Sequence, residues 1–457
     1  MNTRAFTRPL GPRLTRAAAG GTSALALLAA PARAHAAPVC DGAIEAAALG
    51  VDAPSPPAAY ALPTGIIMFS VSTTAELQHL LRWNSGWNHA TLNILLEDGV
   101  YEPDDLVGGT YLRLWGGHHL WARHQGGAIL KFGIDAGGND KPNASGGPQL
   151  YGGGAELHGL VFDIDDPIHA PANLDGDPSR SDTYAIASWG SGAHVRVEDC
   201  TLHGNGVIDI GVRAWSNGIG APEGFVGRRL EIDGFRVYGL AVNAPAALPD
   251  LAAPVVLADL TITDIGGPPI EWPSGEVGIW LGATGSLERA RIRDVGDAGV
   301  LLGGNLRGGL VRDVDVDEIG DAPGDGVGIY LDNTTIDSDV GHFCVGPATR
   351  WGVISEWDNN TAPRGIRNEI HHGLIESDFI GVWFDQGTVD SHVHHCVLRN
   401  YTWAGIAFHH NLAALADWPN YAASSGSWGA GNVLPEPGVC AYVRDQHPNV
   451  TTNPICE

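Results

Sequence analysis

The chain repeats one short pattern of apolar and small residues six times. Each copy begins with glycine; in five copies the second and fourth residues are apolar, and the looser copy at 352–356 has serine at the fourth position. The copies occupy residues 278–282, 299–303, 328–332, 352–356, 381–385 and 405–409. A period of two predicts a strand with one buried face, so the fifth residue of each copy faces outward.

The spacing of the copies predicts a solenoid. Successive copies start 21 to 29 residues apart, a period typical of proteins in which each repeat forms one coil. A second strand is visible in several coils, at 197–202, 257–262, 287–292, 370–375 and 393–398. The fold class that we predict is all-β, a single right-handed parallel β-helix in which equivalent residues of neighbouring coils stack about 4.8 Å apart.

The chain is expected to divide into four segments. The first has the basic start, apolar middle and A-x-A end of a cleaved signal peptide, which predicts a secreted or periplasmic protein. No later stretch approaches the roughly 18 uninterrupted apolar residues of a membrane span, so we expect no membrane partner. The segments are a signal peptide at 1–36, a Pro/Ala-rich spacer at 37–69, the β-helix at 70–411 and an irregular C-terminal capping tail at 412–457.

A helix is predicted to close the N-terminal end of the solenoid. The apolar residues of "AELQHLL" (75–81) recur at helical spacing, and Ser72 or Thr73 precedes them as N-cap. A strand and turn follow in "LNILLEDGVY" (92–101), and "GAELHGLVFD" lies at 154–163. These motifs resemble the opening coils of the pectate-lyase-like (pectin lyase fold) superfamily of right-handed parallel β-helices, and with the repeats the resemblance covers roughly residues 70–411.

The resemblance implies an architecture and a general chemistry. The superfamily consists of secreted carbohydrate-active proteins together with viral adhesins, and it includes lyases, hydrolases, epimerases and esterases. Neither the paired-aspartate, His-Gly and Arg-x-Lys set of polygalacturonases nor the calcium-and-arginine set of pectate lyases is present in this sequence. The resemblance therefore implies a glycan partner without identifying a specific family.

The charge of the chain excludes one class of partner. Asp and Glu number 52 against 26 Lys and Arg, a formal net charge of −26. Nucleic acid is therefore not expected to bind, because phosphates require a basic surface. A long polyanionic glycan is also disfavoured unless calcium or an arginine cluster bridges the two. We expect a monomer.

The six cysteines permit disulfides in an exported chain. Cys440 and Cys456, in the non-repetitive tail, are predicted to form a bridge. Cys200 and Cys396 occupy matching places in the repeat and are predicted to be buried thiols. Cys40 and Cys344 are left without an assignment.

The fifth position of the repeat carries the candidate catalytic residues. Three adjacent copies place Asp332, Glu356 and Asp385 there, and the next copy adds His409, while Asp358 lies two residues beyond Glu356. Acids directly opposite one another on neighbouring strands repel, so a purely structural column would avoid such a run.

This run of acids suits glycoside hydrolysis, in which one carboxyl group acts as acid and a second as base. Asp332 and Asp385 are the predicted acid and base, with Glu356 or Asp358 orienting water. Two coils separate Asp332 from Asp385, about 10 Å, which favours an inverting mechanism.

Aromatic side chains accompany the acids. The outward row two residues earlier supplies Trp280, Tyr330 and Trp383, and the fifth position supplies Trp189 and Trp215 in earlier coils. Sugar rings offer apolar C–H faces that stack on such rings. We therefore predict that these five residues bind substrate.

Three other interpretations of the acidic run remain open. One is a polysaccharide lyase or epimerase that uses His409 or Tyr330 as base with an arginine on the uronate. Another is a non-catalytic glycan-binding or surface adhesion protein. The third is a set of solvated strand-end acids or a Ca²⁺ site, and Ca²⁺ is the one cofactor that the sequence leaves possible.

The histidine pairs 371–372 and 394–395 do not predict a metal site. Adjacent residues on a strand point to opposite faces, so neither pair is expected to chelate from one face. The two pairs occupy equivalent repeat positions, which favours a stacked ladder of imidazoles.

Overall fold

The structure is a computed structural model. It describes residues 59–84, 91–102, 113–131, 149–151, 154–164, 184–189, 194–206, 208–215, 223–243, 253–266, 276–304, 306–320, 326–332, 335–355, 366–384, 388, 390–408, 428–430, 432 and 441–443.

These residues form one α-helix and 28 strands, and every strand pair among them is parallel. The helix is α1 (Thr74–Asn84). The strands are β1 (Phe69–Val71), β2 (Leu92–Leu96), β3 (Gly99–Tyr101), β4 (Arg113–Trp115), β5 (His118–Ala122), β6 (Ala128–Lys131), β7 (Gln149–Tyr151), β8 (Glu156–His158), β9 (Leu160–Asp163), β10 (Tyr184–Trp189), β11 (Arg196–Glu198), β12 (Thr201–His203), β13 (Ile210–Trp215), β14 (Val226–Phe235), β15 (Tyr238–Asn243), β16 (Val255–Ile265), β17 (Val277–Gly282), β18 (Gly285–Val295), β19 (Ala298–Leu302), β20 (Leu310–Ile319), β21 (Val327–Leu331), β22 (Asp339–Ser355), β23 (Glu369–Phe384), β24 (His392–His394), β25 (Val397–Arg399), β26 (Ala404–Phe408), β27 (Trp428–Ala430) and β28 (Ala441–Val443).

The strands stack into three ladders, which is the architecture of a parallel β-helix. Ladder 1 contains the repeat copies and runs through β4, β7, β10, β13, β15, β17, β19, β21, the ends of β22 and β23, β26 and β28. Ladder 2 runs from β1 and β2 through β5, β8 and β11 to β24 and β27, and ladder 3 from β3 and β6 through β9 and β12 to β25. The long strands β14, β16, β18, β20, β22 and β23 belong to both ladders 2 and 3.

Ladders 2 and 3 meet at a corner built from one left-handed residue per coil. This corner column consists of Asp199, Arg229, Asp259, Arg289, Asp313, His342, His372 and His395, with φ between 50° and 57°. Asp and His are among the non-glycine residues that adopt this conformation most often. Opposite charges link neighbouring coils, since Nε of Arg229 lies 2.6 Å from Oδ1 of Asp199 and Nε of Arg289 lies 2.6 Å from Oδ1 of Asp259.

The core lies inside the coil, as the alternation of the repeat predicts. The second and fourth residues of the copies, such as Ile279 with Leu281 and Ile329 with Leu331, have no exposed surface. The predicted parallel β-helix is therefore confirmed.

The repeat glycines stand where neighbouring coils approach most closely. A Cβ atom on Gly352 would lie 2.4 Å from the carbonyl oxygen of Gly381 and 2.3 Å from Cγ2 of Ile375. A Cβ atom on Gly381 would lie 2.5 Å from the carbonyl oxygen of Gly405. Because the obstructing atoms include backbone, a side chain at these positions would push the coils apart.

Gly352→Ala is expected to lower the free energy of unfolding by about 2–3 kcal/mol, the usual cost of overpacking a core. The measurement is urea unfolding followed by circular dichroism. Gly227→Ala is the matched control, because a Cβ atom there meets only side-chain atoms, at 3.2 Å or more. Equal losses in the two variants would show that close backbone approach does not explain the repeat glycine.

The N-terminal helix carries the predicted cap. The backbone N–H of Glu76 donates to Oγ1 of Thr73 at 3.2 Å, and the N–H of Thr73 donates to Oε2 of Glu76 at 3.2 Å, which is a capping box. Leu77 is fully buried and Leu81 nearly so, both within the main core. The helix thus covers the apolar interior of the first coil.

Described residues on both sides of the predicted β-helix segment contact it. Strands β27 and β28 continue ladders 2 and 1 beyond residue 411, with His392 opposite Trp428 and Ile406 opposite Ala441. They lack the glycine-led repeat, so the sequence did not predict them. Tyr60, within the predicted spacer, donates a hydrogen bond from its hydroxyl to the carbonyl of Ala122.

Cys200 and Cys396 are free and buried, as predicted. Burial raises the pKa of each thiol to about 12. Cys344 is disulfide-bonded, and its partner lies outside the described residues. The predicted Cys440–Cys456 bridge and the signal peptide also lie outside them and stay predictions.

Within the described residues, no helix has both the length and the apolar character that a membrane span requires.

Candidate functional site

The strands that carry the candidate acids are in register. Leu331, Ser355 and Phe384 lie directly opposite one another on β21, β22 and β23 of ladder 1. All three face the interior and are at most 1% exposed. The residues that follow them in the sequence are Asp332, Glu356 and Asp385, so the strands that precede the three acids are adjacent and in register.

Asp332 is the one predicted acid within the described residues, and its backbone is held on both sides. Its N–H donates to the carbonyl of Leu302 at 2.7 Å, and its carbonyl accepts from the N–H of Thr335 at 2.9 Å. The side chain is partly exposed. Glu356, Asp358, Asp385 and His409 lie outside the described residues, so their roles stay predictions.

Two polar side chains cover glycines of the fifth-position column. A Cβ atom on Gly303, in the preceding coil, would lie 3.0 Å from Oδ2 of Asp332, so the carboxylate lies against this glycine. Cβ atoms on Gly304, and on Gly282 one coil further away, would lie 2.6 and 2.7 Å from Oδ1 of Asn243. That oxygen is buried and has no hydrogen-bond partner among the described residues. A side chain at any of these glycines would therefore displace the carboxylate or the amide.

The predicted aromatic row exists. Trp280, Tyr330 and Trp383 occupy one column of ladder 1, interleaved with Leu301 and Ile354. The three aromatic side chains are partly exposed and pack on an outer apolar cluster. Trp189 and Trp215 end their strands in the fifth-position column, and their side chains lie outside the described part of the chain.

A second outward row, which carries two aromatic residues among aliphatic ones, was missed in the sequence. The residue before each repeat glycine also faces outward, and this position carries Tyr238 and Trp351. The ring of Tyr238 lies 5.6 Å from that of Trp280, and the ring of Trp351 lies 6.3 Å from that of Trp383. The same period-two alternation that predicted the first row would have identified this one.

Arg350 adds a positive charge to this surface. Its guanidinium carbon lies 4.3 Å from the ring centre of Trp351 and 5.2 Å from that of Phe379, within cation–π range. The outer face of ladder 1 thus combines the aromatic row, the rings of Tyr238 and Trp351, a cation and the carboxylate of Asp332.

The histidine pairs differ from their prediction. Nδ1 of His371 lies 2.6 Å from Nδ1 of His372, and Nδ1 of His394 lies 2.8 Å from Nδ1 of His395. His372 and His395 are corner residues with positive φ, so the strict alternation of a strand fails there and both members of each pair project to one side. The expectation that neighbouring histidines point to opposite faces was therefore wrong.

The predicted stacking of imidazoles between coils is present. His371 stacks on His394 at 5.2 Å, and His372 stacks on both His342 and His395, at 5.1 and 5.2 Å. We call His342, His371, His372, His394 and His395 the histidine corner.

Acidification is expected to destabilise the histidine corner. Burial lowers the pKa of His371, and burial together with neighbouring imidazoles lowers that of His372. The unfolded chain protonates its histidines near pH 6.5, so it binds more protons than the folded chain below that pH and the folded state loses stability. The urea concentration at the unfolding midpoint, measured with chelator present, should decrease as the pH is lowered from about 7 to about 5.

The double variant His371→Asn/His372→Asn should show a flatter dependence of the midpoint on pH over this range. Asp339 and Arg312, which face His371, are unaltered in this variant. An unchanged pH slope in the double variant would contradict this prediction.

Another cluster of ionisable groups, His158 with Glu198 and Asp199, is occupied by protein partners. Arg229 contacts both carboxylates, at 3.4 Å from Oε2 of Glu198 and 2.6 Å from Oδ1 of Asp199. The His158 ring stacks on Trp121 at 3.6 Å. These contacts explain the cluster as a structural ion-pair network.

Comparison with known proteins supports the fold. No protein-family model and no curated protein matches the sequence. The structure is similar to that of the Dettilon tailspike protein, with a TM-score of 0.51 and 11% identity over 81% of this chain and 64% of that one. The chain thus spans less than two thirds of the tailspike's length.

Two further solved structures are similar at lower scores. The surface protein and adhesin PfbA of Streptococcus pneumoniae has a TM-score of 0.49 and 11% identity over 81% of this chain and 99% of that one. A mannuronic acid specific polysaccharide family 6 lyase from human gut microbiota has a TM-score of 0.47 and 9% identity, with 82% of each chain covered. At these identities the likeness concerns the fold alone.

Proposed function

We propose that the protein is a secreted, glycan-active enzyme whose site is the outer face of ladder 1, and that it acts as an inverting glycoside hydrolase. One observation carries the proposal. Asp332 is held at the end of β21, against Gly303 of the preceding coil and two residues after Tyr330 of the aromatic row, in register with the strands that lead to Glu356 and Asp385.

The aromatic rows supply the binding surface. Pyranose rings present apolar C–H faces that stack on aromatic side chains, while their hydroxyls require polar partners. Trp280, Tyr330 and Trp383 follow the axis of the solenoid, so a glycan chain lying along this axis would contact successive coils. Asp332 follows Tyr330 by two residues, so its carboxylate would lie beside the bound glycan.

The acids supply the chemistry. Strand neighbours in a ladder are about 4.8 Å apart, so Asp332 and Asp385, two coils apart, would be separated by about 10 Å before their side chains lean. This separation is near the upper end of the range for inverting enzymes, in which a water molecule fits between the base and the sugar. Asp332 and Asp385 act as acid and base, and Glu356 or Asp358 orients the water.

Product analysis on a panel of plant, algal and bacterial polysaccharides tests the proposal, with Ca²⁺ or chelator present in parallel. Hydrolysis releases reducing ends without a new ultraviolet chromophore, and NMR of the first product should show the inverted anomer. An unsaturated uronate would instead indicate elimination with Tyr330 or His409 as base. Retention of a glycan without any turnover would indicate a binding protein.

A further inference from the structure

The histidine corner brings imidazole nitrogens together on the surface between ladders 2 and 3. One ring nitrogen from each of His342, His371 and His372 comes within 4.8 Å of the other two. His342 lies on β22 and the other two on β23, so the group bridges two consecutive coils. All three side chains are partly exposed, which leaves a path for an ion.

We propose that His342, His371 and His372 bind one divalent transition-metal ion of the zinc type. Imidazole nitrogen is a preferred ligand of Zn²⁺, Cu²⁺ and Ni²⁺. Two nitrogens bound tetrahedrally at about 2.0–2.1 Å from zinc are about 3.4 Å apart. The Nδ1 atoms of His371 and His372 are 2.6 Å apart, so they would have to move apart by roughly 1 Å or less to reach this geometry.

The hydrogen bonds around the corner present the correct nitrogen of His371. Its Nε2 lies 2.8 Å from Oδ1 of Asp339, so the Nε2–H donates a hydrogen bond to the carboxylate. Nδ1 is then left with a lone pair toward His372. A carboxylate behind a histidine is the arrangement that orients metal ligands and raises their basicity.

His342 supplies an independent observation. Its Nδ1 is buried and has no hydrogen-bond partner among the described residues. An orphaned ring nitrogen normally carries a cost, which coordination of a metal ion would remove. Asp313, the preceding residue of the corner column, adds a nearby carboxylate that interacts with His342.

The chain also makes room for this arrangement. Gly341 occupies the place opposite His371, and a Cβ atom there would lie 2.5 Å from Cε1 and 2.7 Å from Nε2 of the His371 ring. Glycine therefore lets His371 sit between Asp339 and His372. The proposed site lies apart from the outer face of ladder 1 and does not depend on the proposed glycan activity.

Calorimetric titration of the untagged, chelator-treated full chain with ZnCl₂ tests the proposal. We expect saturable binding of one ion per chain, an upward shift of the thermal midpoint and, with Co²⁺ as probe, visible d–d absorption of a nitrogen-ligated ion. Ca²⁺ should produce none of these effects, because it prefers oxygen ligands.

Variants locate the ion. His372→Asn should weaken Zn²⁺ binding by at least about 100-fold, and asparagine keeps the backbone conformation because it tolerates positive φ. Asp339→Asn should weaken Zn²⁺ binding about 10–100-fold, because it removes the carboxylate that orients the His371 ring. His203→Asn, remote from the corner and bonded to Asp233 at 2.6 Å, is the control and should bind like the unaltered chain.

Two outcomes would overturn the proposal. One is the absence of saturable Zn²⁺ binding. The other is stoichiometric binding that is unaffected by His372→Asn in a variant with an unchanged circular dichroism spectrum.

Discussion

Asp332→Asn is expected to lower the rate of polysaccharide cleavage by about 1000-fold while glycan binding is retained. General acid–base catalysis contributes about 10²–10⁴-fold, and an amide of the same shape cannot transfer the proton. The fold should be unaffected, because Asp332 is held through its backbone N–H and carbonyl. The measurements are the initial rate of release of reducing ends and the dissociation constant for an oligosaccharide.

Asp337→Asn is the matched control for this variant. Asp337 lies in the same coil, its side chain is 49% exposed, and it pairs with Arg367 in a surface ion pair. Removing that pair should change the cleavage rate by less than about twofold and the free energy of unfolding by less than about 1 kcal/mol. A similar loss of activity in both variants would show that charge on this coil matters in general and that Asp332 has no special role.

Arg236→Met is expected to lower the free energy of unfolding by about 3–5 kcal/mol. Nη1 of Arg236 lies 3.7 Å from Oδ1 of Asp209, and the two side chains are only 6% and 5% exposed. Removing the arginine takes this ion-pair partner from a buried carboxylate, which is far more costly than the net contribution of the pair. The backbone also joins consecutive coils here, since the N–H of Arg236 donates to the carbonyl of Ile208 at 3.1 Å.

Arg367→Met is the control for this stability prediction. Its ion pair with Asp337 is shorter, at 2.6 Å, but the side chains are 56% and 49% exposed. We therefore expect a loss below about 1 kcal/mol, because water replaces the partner. The double variant Arg236→Met/Asp209→Leu should recover most of the stability, and failure to do so would show that the buried charge does not cause the loss.

The repeat strands could be predicted from sequence because alternation alone decides which residues face inward. The reason for the repeat glycine could not, since it depends on the carbonyl oxygen of the next coil, as between Gly352 and Gly381. The strands β27 and β28 were missed for a related reason. Their pairing partners lie in preceding coils, and nothing in their own sequence repeats the pattern.

For the candidate site too, alternation along the strands predicted only part of the arrangement. The column that contains Trp280, Tyr330 and Trp383 follows from periodicity, and the structure has it in register. The position of the Asp332 carboxylate against Gly303 involves a neighbouring coil, which a single strand does not show. The prediction that neighbouring histidines point to opposite faces failed because one left-handed residue, His372, breaks the alternation on which it depended.

The central claim is that carboxylates at the ends of successive ladder 1 strands act together on one glycan. Comparing initial cleavage rates for Asp332→Asn, Asp385→Asn and the double variant tests it most directly. Groups that act as a unit give non-additive losses, so we predict that the double variant is about as inactive as either single one. Losses that multiply, or full activity in Asp385→Asn, would contradict the account.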